Sequence, residues 1–211
     1  MRTQQARMRE VMALAPVIPV LVIDQLEQAV PLAQALVRGG LPVLEVTLRT
    51  AAALDAMRAM AAVPGAVIGA GTVLDAAQFD AAIAAGAQFA VSPGLTPALA
   101  QAAQARAVPL LPGAATASEV MAAREAGFDC LKFFPAASSG GAASLKGFAS
   151  VFPQVRFCPT GGITAETASQ YLALPNVVCV GGSWLAPKAA LDTGDWSAVE
   201  HLAQAAARLR P

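Results

Sequence analysis

Lys132 lies within residues 130–135, a run that is otherwise apolar and has the composition of a buried β-strand. Burial disfavours the ammonium form, so we expect this lysine to supply a neutral, nucleophilic amine near neutral pH. Such an amine can form a Schiff base with a carbonyl substrate. The other two lysines, Lys146 and Lys188, lie in contexts typical of loops or helix ends. The competing interpretation is that Lys132 ends its strand and extends the ammonium group into solvent.

Glu45 is the only acidic residue inside a run typical of a strand. The period of two in an extended chain places Glu45, Thr47 and Arg49 on one side. A carboxyl group facing a barrel interior can transfer protons, and the planar guanidinium of Arg49 can bind a substrate carboxylate through two hydrogen bonds. The alternative is that Glu45 and Arg49 simply form an ion pair with each other.

Two glycine-rich turns follow the last two predicted strands, Gly161-Gly162 and Gly181-Gly182-Ser183. Glycines leave backbone N–H groups accessible, and in (β/α)8 barrels the loops after strands seven and eight often bind phosphate. Neither turn contains lysine or arginine, so we predict a phosphate held by N–H groups, the Ser183 hydroxyl and a helix N-terminus. A Gly-Gly pair alone is usually no more than a tight turn.

The elements that position these residues alternate regularly along the chain. Short apolar runs predict strands at 17–23, 43–48, 67–73, 89–93, 108–114, 130–135, 155–160 and 177–181. Ala-rich patterns predict helices at 25–38, 51–62, 75–85, 96–106, 117–126, 142–149, 165–173 and 195–209. Eight β-then-α units indicate an α/β protein, a (β/α)8 TIM barrel with a short N-terminal helix near 2–14. We expect residues 1–211 to form one domain.

The carboxyl ends of barrel strands converge on one mouth, where catalytic residues lie. An open doubly wound sheet is the alternative architecture, but it usually binds its ligand at a single switch point. Here the polar residues are spread over many strand ends: Glu45, Thr47 and Arg49; Thr72; Ser92-Pro93-Gly94; Lys132; Thr160-Gly161-Gly162; and Gly181-Gly182-Ser183. This distribution favours the barrel.

Composition excludes several classes of function. The 14 basic and 14 acidic residues balance, and no basic run is present, so we expect no nucleic-acid or anionic-membrane surface. Although 56% of residues are hydrophobic, no apolar run approaches the roughly 20 residues of a membrane span. The first ten residues do not resemble a secretory signal.

Cysteine and histidine usage points away from metals and disulfides. Cys130, Cys158 and Cys179 are odd in number and lie in apolar segments, as expected of reduced, buried residues in a cytoplasmic protein. The single histidine, His201, lies in a helical pattern and leaves no cluster for a catalytic zinc. We therefore expect no metal and no cofactor.

Taken together, these motifs resemble the 2-keto-3-deoxy-6-phosphogluconate (KDPG) and 4-hydroxy-2-oxoglutarate (KHG) aldolase family, which are class I aldolases. The similarity runs nearly end to end. The segments that carry it are 17–20 (VIPV), 44–50 (LEVTLRT), 69–73 (GAGTV), 92–94 (SPG), 132–136 (KFFPA), 156–163 (RFCPTGGI) and 181–184 (GGSW).

The resemblance implies a role for each matching residue. Lys132 would form the Schiff base, Glu45 would act as general acid and base, and Arg49 and Thr72 would bind the pyruvate carboxylate. The walls of the pocket would be Pro93, Phe134 and Thr160, and the phosphate site predicted above comprises Gly161, Gly162, Gly182 and Ser183. The resemblance also implies a cofactor-free homotrimer in the cytoplasm, in the Entner-Doudoroff pathway.

The expected activity is reversible cleavage of KDPG to pyruvate and glyceraldehyde 3-phosphate, together with cleavage of KHG to pyruvate and glyoxylate. Three alternatives remain open. One is the family's aldolase for the galactonate epimer, although Thr160 in its turn is more similar to the gluconate-type enzymes. The second is a phosphosugar isomerase in which Lys132 acts electrostatically. The third is a barrel that binds a phosphorylated ligand without catalysis.

Overall fold

A computed structural model describes residues 1–209, in which helices and parallel strands alternate as an α/β fold. The strands are β1 Val17–Leu21, β2 Val43–Thr47, β3 Val67–Gly71, β4 Phe89–Val91, β5 Leu110–Leu111, β6 Gly113–Ala114, β7 Cys130–Phe133, β8 Arg156–Pro159 and β9 Val180–Gly182. The helices are α1 Arg2–Ala13, α2 Ala29–Arg38, α3 Ala53–Ala61, α4 Ala76–Ala84, α5 Pro97–Gln104, α6 Ala117–Glu125, α7 Gly141–Val151, α8 Ala165–Leu172, α9 Lys188–Thr193 and α10 Trp196–Ala207, with a 3-10 turn at Leu26–Gln28 before α2.

The strands form two parallel sheets, in the orders β5-β4-β3-β2-β1-β9 and β6-β7-β8. Only Pro112 separates β5 from β6, and proline lacks the N–H group that a continuous ladder requires. This explains why the single strand predicted over 108–114 is divided. Between β8 and β9, isolated parallel bridges join Phe157 to Val177 and Thr160 to Gly181.

The predicted strands and helices are present with small differences in their bounds. The helix predicted at 25–38 begins as a 3-10 turn and continues as α2. Helix α9 was not predicted. Lys146 lies inside α7 rather than in a loop or at a helix end, whereas Lys188 is the first residue of α9. Both are exposed, which leaves Lys132 as the one buried lysine among residues 1–209.

Helix starts follow the side-chain chemistry of their first residues. The Asp75 carboxylate accepts from the Gln78 N–H, and the Thr96 hydroxyl accepts from the Leu99 N–H. Thr164 forms a capping box with Thr167 at the start of α8. Each of these contacts satisfies a backbone donor that the helix itself leaves open.

Helix α1 covers the amino-terminal ends of the strands. Its residues Met8 and Met12 are fully buried and belong to one apolar cluster with Val43, Phe89 and Cys130, which begin β2, β4 and β7. The opposite, carboxyl-terminal ends remain accessible to ligands. Within the described residues, no helix has the length and apolar character needed to cross a membrane.

Candidate active site

Lys132 and Glu45 form the centre of the site. Lys132 on β7 donates a hydrogen bond from Nζ to Oε1 of Glu45 on β2 across 3.3 Å. The two residues are only 6% and 3% exposed. The alternative in which Lys132 extends into solvent is therefore wrong, because β7 is buried along its whole length.

Gly71 provides the space that Glu45 occupies. A Cβ atom on Gly71 would lie 2.3 Å from Glu45 Oε1 and 2.7 Å from its Cγ, closer than real contacts allow. Gly71 ends β3 and pairs with Thr47 of β2. A glycine is therefore required here for the carboxylate to reach Lys132, a role that the sequence pattern did not predict.

Arg49 forms no ion pair with Glu45, because the carboxylate pairs with Lys132 instead. The sequence alternative of a Glu45–Arg49 ion pair is thus wrong. Arg49 is exposed at the end of β2, and no acidic side chain within residues 1–209 forms an ion pair with it. Thr47, between the two, donates its hydroxyl to the Leu21 carbonyl and does not line the cavity.

These side chains surround a cavity of about 410 Å³. Its lining residues are Val20, Glu45, Arg49, Thr72, Pro93, Lys132, Phe134, Thr160, Gly161, Gly162, Ile163, Gly181 and Ser183. Thr72, Phe134, Thr160 and Ser183 each directly follow a strand, so the cavity lies at the carboxyl ends of the strands. Every residue predicted for the site lines it except Gly182. Gly181 was predicted only as part of its glycine-rich turn, and Val20 and Ile163 were not predicted.

The alternating direction of successive residues in β9 explains why Gly181, and not Gly182, lines the cavity. A Cβ on Gly181 would lie 2.3 Å from Thr160 Oγ1, so Gly181 faces the cavity wall. A Cβ on Gly182 would lie 1.9 Å from the Trp184 ring, so Gly182 faces the other side. Successive residues of a strand point in opposite directions.

Thr72 has an unusual backbone conformation for a β-branched residue. Its φ is 60°, in the left-handed region that such side chains rarely adopt. Conformations of this kind cost about 1–3 kcal/mol and cluster at functional sites. The half-buried Thr72 side chain lines the cavity, so the strained residue belongs to the site itself.

The Phe134 ring lies next to the lysine, with its centroid 5.1 Å from Lys132 Nζ. The negative face of an aromatic ring attracts an ammonium group at this distance. Gly161 and Gly162 also line the cavity, with φ of 101° and 73°, which only glycine adopts readily. Their backbone therefore forms part of the cavity wall without a side chain.

The three cysteines are free and buried, and none of them lines the cavity. Burial raises the pKa of Cys130 to about 12. A hydrogen bond with Cys158, together with burial, raises the pKa of Cys179 well above its ordinary value. Protonated thiols are poor nucleophiles, so the amine of Lys132 is the better candidate.

No group of three or more metal-ligating side chains suited to an ion is present within the described part of the chain. His201 is exposed on α10. The chemistry available to the cavity is thus that of a buried amine beside a carboxylate, with an arginine and backbone N–H groups nearby. This combination suits an enzyme that forms a Schiff base with a carbonyl substrate and transfers protons during bond cleavage.

The fold and site define a carbon–carbon lyase of the Schiff-base type. Comparison with known proteins agrees, because the family model "Aldolase: KDPG and KHG aldolase" matches residues 8–202. The chain belongs to the KDPG and KHG aldolase family, as its motifs predicted.

Individual relatives cover almost the whole chain. The KHG/KDPG aldolase of Escherichia coli K12 is 50% identical over 207 residues, covering 98% of this chain and 97% of its own length. The KDPG aldolase of Zymomonas mobilis ZM4, solved with 3-phosphoglycerate, superposes with a TM-score of 0.93 at 52% identity and covers 98% and 97% of the two chains. The Legionella pneumophila KDPG aldolase, solved with pyruvate as a covalent carbinolamine intermediate, gives 0.92 at 50% identity, covering 94% and 97%.

Proposed function

We propose that this chain is a class I aldolase that reversibly cleaves KDPG to pyruvate and glyceraldehyde 3-phosphate. The observation that carries the proposal is the buried Lys132 amine, 3.3 Å from the Glu45 carboxylate in a cavity at the strand ends. The carbinolamine in the Legionella relative supports a covalent route through an amine. The pathway implied by this reaction is the Entner-Doudoroff pathway.

The first step joins enzyme and substrate. Neutral Lys132 Nζ attacks the C2 ketone carbon of KDPG and forms a carbinolamine. The Glu45 carboxylic acid, formed when Glu45 takes the proton of the Lys132 ammonium group, then gives this proton to the carbinolamine hydroxyl, which leaves as water. The products are a protonated imine, which accepts electrons from the neighbouring bonds, and a Glu45 carboxylate. Glu45 is the base positioned to take a proton from the Lys132 ammonium group before the attack, because it already accepts a hydrogen bond from it.

The second step breaks the carbon–carbon bond. Glu45 removes the proton of the C4 hydroxyl, and the C3–C4 electron pair moves into the imine. Glyceraldehyde 3-phosphate leaves, and an enamine remains on Lys132. Protonation of the enamine at C3 by the Glu45 carboxylic acid restores the imine, and addition of water releases pyruvate and the free amine.

The substrate contacts in this proposal are those that the family resemblance and the glycine turns predict, and the positions of these residues around the cavity support them. Arg49 and Thr72 bind the carboxylate of the pyruvate half, and Pro93, Phe134 and Thr160 form walls. The phosphate binds to the backbone at Gly161 and Gly162 and to the Ser183 hydroxyl. Gly182 does not line the cavity, so its predicted part in phosphate binding is limited to its N–H group.

KHG is a second substrate in this proposal. It shares the pyruvate half of KDPG and lacks the phosphate, so it uses Lys132, Glu45 and Arg49 without the glycine turns. The E. coli relative is named for both substrates. The galactonate epimer also has the same pyruvate half as KDPG and differs from it at C4, so it remains an alternative substrate.

We also propose that the two sheets close into one (β/α)8 barrel and that the chain forms a single domain; of the predicted domain 1–211, the last two residues lie outside the described residues. The support is that β5 and β6 flank a single proline and that two parallel bridges link β8 to β9. Assembly as a homotrimer and a cytoplasmic location follow from the family resemblance. Sedimentation equilibrium tests the trimer, and a monomeric mass would contradict it.

Pyruvate release measured on KDPG, its galactonate epimer and KHG tests the proposed activity. We expect the highest kcat/KM on KDPG, measurable cleavage of KHG, and no cleavage by the Lys132→Ala variant. Preference for the epimer would replace the substrate assignment. Turnover by Lys132→Ala would show that another group is the nucleophile, and inactivity of the wild type on all three would favour a non-catalytic phosphate-binding barrel.

A further inference from the structure

Gly181 on β9 lies beside Thr160, the residue that directly follows β8. An isolated parallel bridge joins the two residues. A Cβ on Gly181 would lie 2.3 Å from Oγ1, 2.9 Å from Cγ2 and 3.1 Å from Cβ of Thr160, so its three nearest neighbours all belong to that one side chain. The Thr160 side chain therefore occupies the space that a side chain at position 181 would need.

Hydrogen bonds fix both backbones at this contact. The Thr160 N–H group donates to the Phe133 carbonyl across 3.0 Å, and the Thr160 carbonyl accepts from the Ala136 N–H group across 2.8 Å. On the other side of β9, Gly181 pairs with Ile18 of β1. A side chain at position 181 would thus displace the Thr160 side chain, and a β-branched residue rotates only between a few staggered positions.

The Thr160 hydroxyl is available to a ligand. Among the described residues its contacts are long, 3.5 Å to the Cys158 carbonyl oxygen and 4.0 Å to Cys158 Sγ. An ordinary hydrogen bond between a hydroxyl and an oxygen is about 2.7–2.8 Å long. Because Thr160 also lines the cavity, any displacement of its side chain changes both the cavity wall and the position of this hydroxyl.

Thr160 lies between the reactive amine and the turn predicted to bind phosphate. Cys158 pairs with Lys132 in the register of β7 and β8, and Thr160 follows two residues later, about 6–7 Å further toward the carboxyl ends of the strands. Gly161 and Gly162 come directly after it. With C2 of KDPG on Lys132 and the phosphate at the two glycines, Thr160 lies beside the carbons that leave as glyceraldehyde 3-phosphate.

We propose that Gly181 is a positioning residue for Thr160, a role that rests on the cleavage of KDPG proposed above. The absence of a side chain at Gly181 leaves the space in which Thr160 lies, and Thr160 contacts the hydroxyl-bearing carbons of the departing aldehyde. Pyruvate ends at C3 and does not include these carbons. Loss of the space at Gly181 therefore impairs cleavage of KDPG more than it impairs Schiff-base formation with pyruvate.

Gly181→Ala tests this role, with Gly147→Ala as the control because a Cβ on Gly147 meets nothing within 4 Å. We expect Gly181→Ala to lower kcat/KM on KDPG by about tenfold or more, since a misplacement of about 1 Å can cost about 10²-fold in rate. Trapping of pyruvate on Lys132 by borohydride should match the wild type, and the control should match it in both assays. A kcat/KM equal to that of the control, or equal losses of cleavage and of trapping, overturns the proposal.

A second variant shows whether the effect of Gly181→Ala acts through Thr160. After Thr160→Ala, the nearest atom of residue 160 to a new Cβ on residue 181 is its own Cβ, at 3.1 Å, so the methyl group is accommodated with a small shift. Thr160→Ala alone should lower kcat/KM on KDPG and leave pyruvate trapping intact. Addition of Gly181→Ala should lower it little further, because changes at one contact are not additive. The same loss from Gly181→Ala in both backgrounds overturns the proposal.

Circular dichroism reports whether each variant folds. If Gly181→Ala alone does not fold, a double variant that folds and traps pyruvate supports the contact, and an unfolded double variant overturns it. A wild-type protein that does not cleave KDPG contradicts the proposed function and this role together. A wild-type protein that cleaves KDPG no faster than Gly181→Ala contradicts only the role of Gly181.

Discussion

The contact between Lys132 and Glu45 explains why two ionisable groups are stable in an apolar interior. Either charge alone would be costly at this burial, and removal of one partner of a buried pair typically costs about 3–5 kcal/mol. The pair also has a chemical consequence. Transfer of one proton from Nζ to Oε1 neutralises both groups and produces the amine that the reaction needs.

Substitution Glu45→Gln tests the proton transfer that Glu45 performs during cleavage. The amide retains the shape of the side chain but cannot exchange a proton with the C4 hydroxyl. We expect the variant still to form a borohydride-trapped adduct with pyruvate, while its kcat on KDPG falls by about 10²- to 10⁴-fold. A kcat near that of the wild type would limit Glu45 to an electrostatic partner of Lys132.

Gly71→Ala tests whether the position of Glu45 matters. The added methyl group would lie 2.3 Å from Oε1, so the carboxylate must move away from Lys132. Because displacements of about 1 Å can cost about 10²-fold in rate, we expect a loss of kcat of that order. Gly147→Ala is the control, since a Cβ there meets nothing within 4 Å. Equal kcat values for the two variants would contradict a positioning role for Gly71.

At the scale of elements, strand and helix positions were predictable because apolar periodicity and capping residues are local signals. The predicted run at 130–135 contains the observed β7, Cys130–Phe133, and the helices predicted to begin at 75 and 96 are capped there by Asp75 and Thr96. Helix α9 was missed because its six residues are too few for a clear period.

Helix α6 provides a prediction about pH. The N–H group of Ala115, followed by that of Thr116, lowers the pKa of Glu119 below its ordinary value of 4.5, and burial opposes this only in part. A carboxyl group with a lowered pKa in the folded state stabilises the protein above its unfolded pKa and loses that effect as pH falls through the folded pKa.

Glu119→Gln should therefore destabilise the protein by about 0.3–1 kcal/mol at neutral pH. The difference from the wild type should shrink as the pH falls below 4.5. Urea unfolding across that range measures it, with Glu125→Gln at the other end of α6 as control. A Glu119→Gln difference that does not depend on pH would contradict the role of the charged carboxylate.

The turns after β8 and β9 carry a prediction about substrate choice. Ser183→Ala should reduce kcat/KM on KDPG by about tenfold or more, because a hydrogen bond to a charged phosphate is lost. Gly162→Val should act in the same direction, but its φ of 73° adds backbone strain. Both variants should lose much less activity on KHG, which has no phosphate. Equal losses on the two substrates would mean that the phosphate binds elsewhere.

At the scale of the whole molecule, the common position of the strand ends made most of the site predictable. Residues as distant in sequence as Glu45 and Lys132, 87 positions apart, were expected to meet because parallel strands bring their carboxyl ends together. The sequence could not show that Glu45 pairs with Lys132, because Arg49 is close to Glu45 in sequence whereas Lys132 is close to it only in the folded structure. It also could not distinguish Gly181 from Gly182, since that requires the register of β9.

The two ends of the strands have different roles. The carboxyl ends hold the active site, and α1 covers the amino ends and contacts the start of β7 through Gln5. Cys130 is buried at the start of β7, and this burial raises the pKa of its thiol to about 12. The thiol therefore stays protonated, so Lys132 is the group expected to react with a carbonyl compound.

Incubation with pyruvate and borohydride, followed by peptide mass mapping, tests whether Lys132 forms the Schiff base. We expect one reduced pyruvate adduct per chain, on Lys132, and none on the exposed Lys146 or Lys188. The Lys132→Ala variant should remain folded and carry no adduct. An adduct on another lysine, or no adduct on the wild-type protein, would contradict the assignment of Lys132 as the Schiff-base residue.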